Sequence, residues 1–180
     1  MESLDILILG VEASIALAGF AGIIATFQFN GDKDTRRGDA VGLTMILQFS
    51  LLTSLICSIA ILLYSFDLKE TTLWAICSAI SAALQVWGSI AVQKNMKGVL
   101  RTQSLGRLTI MLQNPSLALI LINLMNASDI FFHREAGPVI ASIVYTLSIA
   151  GFMFSRLLLI PIWRNVRTQE KAKLGDATAA

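Results

Sequence analysis

Charge is scarce in this chain: Asp, Glu, Lys and Arg make up 14% of its 180 residues, where soluble proteins carry about 25%. The single histidine, His133, excludes bis-histidine haem ligation and the HExxH zinc arrangement. Two cysteines, Cys57 and Cys77, each sit inside an apolar run with neither the spacing nor the neighbours of a metal site, and read as packing residues. No GxSxG, Walker A or GxGxxG pattern occurs. With no nucleophile–base pair and no metal set to name, neither an enzyme activity nor a cofactor is expected. The net charge of +2 is small and its basic residues are dispersed among short connectors, which argues against a nucleic-acid groove. Asp32, Lys33 and Asp34 stand beside Arg36 and Arg37 with spacing that fails a calcium loop, so they read as a solvated turn. The acidic opening MESLD lacks the basic start of a cleavable signal peptide.

What is present is apolar. The hydrophobic fraction is 55% and the mean hydropathy +0.70, so lipid is the expected solvent for most of the chain. About 20 helical residues cross a bilayer core, and five segments reach that length: 5–29, 40–66, 71–93, 108–131 and 138–163. The expected fold is therefore an all-α polytopic membrane bundle of five transmembrane helices. It forms one domain over 1–175, with a short tail at 176–180. Asn30-Gly31, Asp39, Thr71-Thr72 and Gly137-Pro138 mark helix ends.

The fourth segment is the most polar, holding Gln113, Asn114, Pro115, Asn123 and Asn126, and could be read as re-entrant. Charge decides for a full span. With five spans, Lys33, Arg36, Arg37, Lys94, Lys97, Arg101, Arg107, Arg164, Arg167, Lys171 and Lys173 share one side, against Lys69 and Arg134 on the other. The positive-inside rule then sets the amino terminus outside and the carboxyl terminus inside. The basic connector 94–107 is expected to lie on the anionic cytoplasmic leaflet. The expected location is a bacterial inner membrane.

Polar groups inside the spans are the functional signal, because intramembrane ionisable and amide side chains are costly and mark pathways or ligand sites. Glu12 interrupts the run GVEASIALAGFAGIIATF about 6–10 Å below the outer boundary. Arg156 lies about as far above the inner one, so the two are too far apart for a direct salt bridge. Helix rise groups Arg156 with Gln48, Gln85, Gln113 and Asn114 in an inner layer. It groups Glu12 with Asn123, Asn126, Ser142 and Tyr145 in an outer one. The competing readings are plain: Arg156 snorkels to the headgroups, Glu12 hydrogen-bonds within the bundle, and the amides are interhelical glue.

In the first span Gly10, Ser14, Ala18 and Gly22 recur every four residues, a small face on which another helix can pack closely, within the chain or between copies. Glu12 is expected to border that contact and so to avoid open lipid. The function expected is a small homo-oligomeric channel or transporter for an ion or small polar solute. Its pathway residues would be Glu12, Gln48, Gln85, Asn114, Asn123, Asn126 and Arg156. The alternative is a non-conducting scaffold, regulatory or signalling subunit.

Overall fold

Five helices and no strands make up the described residues: α1 (Ser3–Gln28), α2 (Lys33–Tyr64), α3 (Glu70–Met96), α4 (Gln103–Ala127) and α5 (Gly137–Ala179). The computed structural model describes the backbone over 3–28, 33–66, 68–96, 103–130 and 133–179. It describes side chains over 3–26, 40, 42–66, 68–94, 114–130 and 133–159. Among the described residues, four helices hold segments long and apolar enough to cross a membrane: Ser3–Thr26, Gly42–Tyr64, Glu70–Lys94 and Gly137–Leu159. In α4 the apolar part among the described side chains is shorter, Asn114–Ala127. The chain is thus an all-helical integral membrane protein.

Local chemistry explains where the helices begin and end. In lipid a spanning backbone must satisfy its own hydrogen bonds, which a helix does. Asp5 in the first turn of α1 and Glu70 in that of α3 face the positive helix ends. Lys94 stands in the last turn of α3, where a cation is favoured. Pro138 is the second residue of α5, a position where its missing N–H has no partner to lose. Pro115 lies inside α4, yet the helix runs unbroken through it, which leaves no unwound, carbonyl-lined segment there.

Two helices run further than the sequence suggests. α2 starts at Lys33, so Lys33, Arg36 and Arg37 belong to its first turns and not to a free turn. α5 has 43 residues, about 65 Å at helical rise, and continues past 163 through most of the expected tail. The segment TQEKAKL is rich in good helix formers and holds no proline to stop it. The side chains of Gln113 and of most of the 94–107 connector lie outside the described residues.

α2 and α5 sit at the centre, with α1 packed on both of them and the α3–α4 pair against their other side. Only 22% of the apolar window of α1 is buried, against 44% of that of α5, so α1 is the peripheral helix. Side chains that a soluble protein would hide point outwards, among them Leu51, Leu62, Phe20, Trp87 and Leu121. The apolar interior is divided in two. One cluster, at the end that carries the α2–α3 and α4–α5 connections, joins Leu7, Ile56, Cys57, Trp74, Val139 and Ile143. The other, towards the opposite end, joins Ala21, Ile46, Val92, Ile149, Met153 and Leu157.

Candidate functional site: a polar column alongside two apolar clusters

Alongside those clusters runs a polar strip of the core. Ser50, Thr53, Ser78, Ser81, Gln85, Asn123, Asn126, Ser142 and Thr146 are all buried, and they come from the four helices α2 to α5. Each helix supplies its share by helical spacing. Ser78, Ser81 and Gln85 fall on one face of α3, Asn123 and Asn126 on one face of α4, and Ser142 and Thr146 on one face of α5.

The column starts at the α4–α5 connection. The Asn126 amide donates to Ser78 Oγ at 2.7 Å and to the Glu135 carbonyl at 2.9 Å, and its Oδ1 accepts from the Glu135 N–H at 3.1 Å. Every bond that side chain needs is made. It clamps a tight turn in which Asp129, His133 and Arg134 all adopt positive φ, at 61°, 48° and 61°. Arg134 Nε stands 4.0 Å from Asp129 Oδ2 across the same turn.

One turn further along α4, the Asn123 amide donates to the Leu119 carbonyl at 2.8 Å and to Ser142 Oγ at 2.7 Å, with the Pro138 carbonyl at 3.5 Å. Ser142 in turn donates to that Pro138 carbonyl at 3.0 Å. Deeper in the bundle Thr53 donates to Thr146 Oγ1 at 2.6 Å, and Thr146 passes its own proton to the Ser142 carbonyl at 2.9 Å. Gln85 Nε2 folds back onto Ser81 Oγ at 3.1 Å. Gln48 Nε2 donates to the Gly88 carbonyl at 3.2 Å, and Ser89 and Ser116 lie 3.4 Å apart.

Most of this network is closed, but not all. Asn123 Oδ1, Gln85 Oε1 and Ser50 Oγ are buried without a hydrogen-bond partner, as is Trp74 Nε1 nearer the α2–α3 connection. Asn123 and Gln85 are 0% and 3% exposed, so solvent does not reach them in the isolated chain. A buried polar atom left unpaired costs about 1–3 kcal/mol, and three such oxygens along one column call for an occupant.

The ionisable residues lie elsewhere. Gly10 sits beside Ile143 and Phe20 beside Phe154, ring centroids 6.3 Å apart. These two pairs fix α1 and α5 as parallel and put Arg156 level with Gly22. Glu12 is then about 15 Å away along the axis, in keeping with the separation expected from sequence. Arg156 is half-buried and has no ion-pair or hydrogen-bond partner among the described residues.

Glu12 is exposed, in the middle of an outward stripe of α1 formed by Ile8, Leu9, Ile15 and Phe20. The expectation that it borders a tight contact is corrected by the way the small face divides. Gly10 and Ser14 are buried and Ala18 half-buried, whereas Gly22 is exposed with open space around it. The helix turns Glu12 away from the buried half.

Among the described residues, the inner layer expected around Arg156 is not joined by hydrogen bonds. Asn114 is exposed, Gln48 bridges to α3, and Gln85 turns towards Ser81 in the column. Of the expected residues, Asn123 and Asn126 are bonded across to α5 and α3, and Gln85 is buried on the same face of α3 as Ser78, bonded to Ser81. Thr53, Thr146, Ser50 and Ser81 join them without having been singled out. Their signal was the spacing of hydroxyls at three and four residues. Among the described residues no group of His, Cys, Asp and Glu side chains could hold a metal ion.

No known protein family matches the chain, and neither does any characterised protein or solved structure.

Proposed function

We propose that this chain is a small channel or transporter of a bacterial inner membrane, working as a homo-oligomer and passing an ion or small polar solute. The observation that carries the reading is the polar column itself. A bundle built only for stability could line the meeting of these four helices with apolar side chains. Here four helices instead converge amides and hydroxyls with oxygens left open. The oligomer rests on α1. A carboxylate on an outward apolar stripe is costly against hydrocarbon, and a neighbouring copy docked on that stripe would remove Glu12 from lipid. Ala16, Gly19 and Gly22 are exposed on α1 as well and would allow close approach.

That same stripe favours a second reading, a non-conducting scaffold or regulatory subunit whose exposed α1 binds other membrane helices. Reconstitution separates the two. Purified protein in liposomes is expected to raise the flux of small solutes at least tenfold over protein-free vesicles. Flux at the protein-free level, with the protein correctly inserted, would leave the scaffold reading.

The proposal includes five spans with the amino terminus outside. α4 has 25 residues, about 37 Å at helical rise, which is enough to cross. Single cysteines replacing Lys69 and Arg134 should react with an impermeant thiol reagent in intact cells, and ones replacing Lys97 and Lys171 should not. The native Cys57 and Cys77 are buried and should stay silent. Labelling at 171 would overturn five spans.

A further inference from the structure

The open oxygens of the column define a ligand class. Asn123 Oδ1 cannot be relieved by turning the amide over, because its nitrogen faces the Leu119 main-chain carbonyl, which only an N–H can satisfy. The oxygen is therefore a fixed, unpaired acceptor. The antiparallel pairs Asn126–Ser78 and Ser89–Ser116 set the register of α3 on α4, and that register puts Ser81 opposite Asn123. Because the Gln85 amide folds back onto Ser81, its open Oε1 lies close to the level of Asn123 Oδ1. Two carbonyl-type oxygens, both buried and both unpaired, thus face the interior at about the same depth.

From this we infer that the α3–α4–α5 interior, around Asn123 Oδ1 and Gln85 Oε1, holds a small monovalent cation that donates hydrogen bonds, with ammonium as the type case. The inference rests on the transport reading for its role, and names the class of solute the column would carry. Charge and donor chemistry select it. An anion needs donors, and the Asn123 amide hydrogens are already committed to Leu119 and Ser142. A divalent ion needs carboxylates to replace its hydration, and none is buried in this column. An ammonium ion offers only donors, to oxygens that can only accept. Neutral carbonyl and hydroxyl oxygens are also the ligands that selectivity sites use to replace the hydration of monovalent ions.

The test is a melting experiment on the detergent-solubilised full chain, with ammonium chloride and tetramethylammonium chloride compared at equal concentration. The second salt carries the same charge and counterion but has no N–H. Ammonium at tenfold over its dissociation constant should raise Tm by about 4 °C in a chain of this size, and tetramethylammonium should not. Gln85→Met keeps the unbranched shape and removes the oxygen, so it should lose the ammonium shift. Gln85→Glu places a carboxylate there, so it should enlarge the shift if the first variant fails to fold. Equal melting of the parent in both salts would overturn the site and leave the oxygens holding a structural water only. Radiolabelled methylammonium uptake into liposomes then separates the two layers of the argument. An ammonium shift without uptake would fail transport and keep the site. Chloride flux without an ammonium shift would keep transport and fail the ligand class.

Discussion

Gly10→Val should abolish the native packing of α1, lowering stability by about 3 kcal/mol or more, at the upper end of what overpacking a tight core costs. The geometry leaves no room on either side. A Cβ at position 10 would stand 2.8 Å from Cys57 Sγ on α2 and 3.3 Å from Ile143 Cγ2 on α5. Cys57 is 0% and Ile143 1% exposed, so neither can swing into open space. The glycine is there because three helices meet at that point. Gly10→Ala adds one methyl and is expected to cost about 1–2 kcal/mol.

A partner substitution makes the mechanism testable. Cys57→Ala removes the sulfur that the new Cβ would strike, so Gly10→Ala should be partly rescued in the Cys57→Ala background. Thermal melting in detergent of the four proteins of the cycle gives the coupling. Gly22→Ala is the control, since nothing lies within 4 Å of its built Cβ, and it should melt within a degree or two of the parent. Independent, additive effects of Gly10→Ala and Cys57→Ala would refute the contact.

The contrast between Gly10 and Gly22 also shows why the sequence stops short of the packing. Both lie in the same four-residue repeat of small side chains, and both are equally compatible with a close helix contact. What separates them is the crossing of α1 over α2 and α5, which only the assembled bundle decides. α1 is apolar nearly all round, so helical periodicity does not select an inward face. Glu12 could therefore be read as bordering a contact when it points outwards.

α3 and α4 behave differently. Their spans are mixed, and Ser78, Ser81, Gln85, Asn123 and Asn126 recur at three- and four-residue intervals, so a polar face was readable there. Depth was harder to read than face. Gln85 counts as deep by its Cα, but its side chain reaches back about a turn to Ser81, as long helical side chains do. The four long apolar spans needed nothing but length and hydropathy. The fourth expected span is the most polar in sequence, and the residues that dilute its hydropathy include Asn123 and Asn126, which build the column.

The second large effect is expected at Asn126, where Asn126→Leu should destabilise the chain by about 2 kcal/mol. Its one interhelical hydrogen bond, to Ser78, is of a kind that averages about 0.6 kcal/mol in membranes, and its two bonds to the Glu135 main chain add about 0.5–1.5 kcal/mol each. At Glu135, an exposed residue, the freed N–H and carbonyl can turn to water, so the cost of stranding falls on Ser78 Oγ, which is 0% exposed. The turn is the part that suffers. Asp129, His133 and Arg134 hold positive φ, a conformation uncommon for residues other than glycine. With the clamp gone they should relax to ordinary φ, and the 128–136 connection should open before the helices do. Asn126→Asp keeps the Oδ1 acceptor for the Glu135 N–H and can accept from Ser78, but sets an oxygen against the Glu135 carbonyl, so it should fall between parent and Asn126→Leu. Limited proteolysis at 128–136 should therefore accelerate in the order parent, Asn126→Asp, Asn126→Leu, with the detergent melting temperatures falling in the same order. Asn126 would be a bystander if Asn126→Leu were cleaved and melted like the parent, and the column would then lose its anchor at the α4–α5 turn.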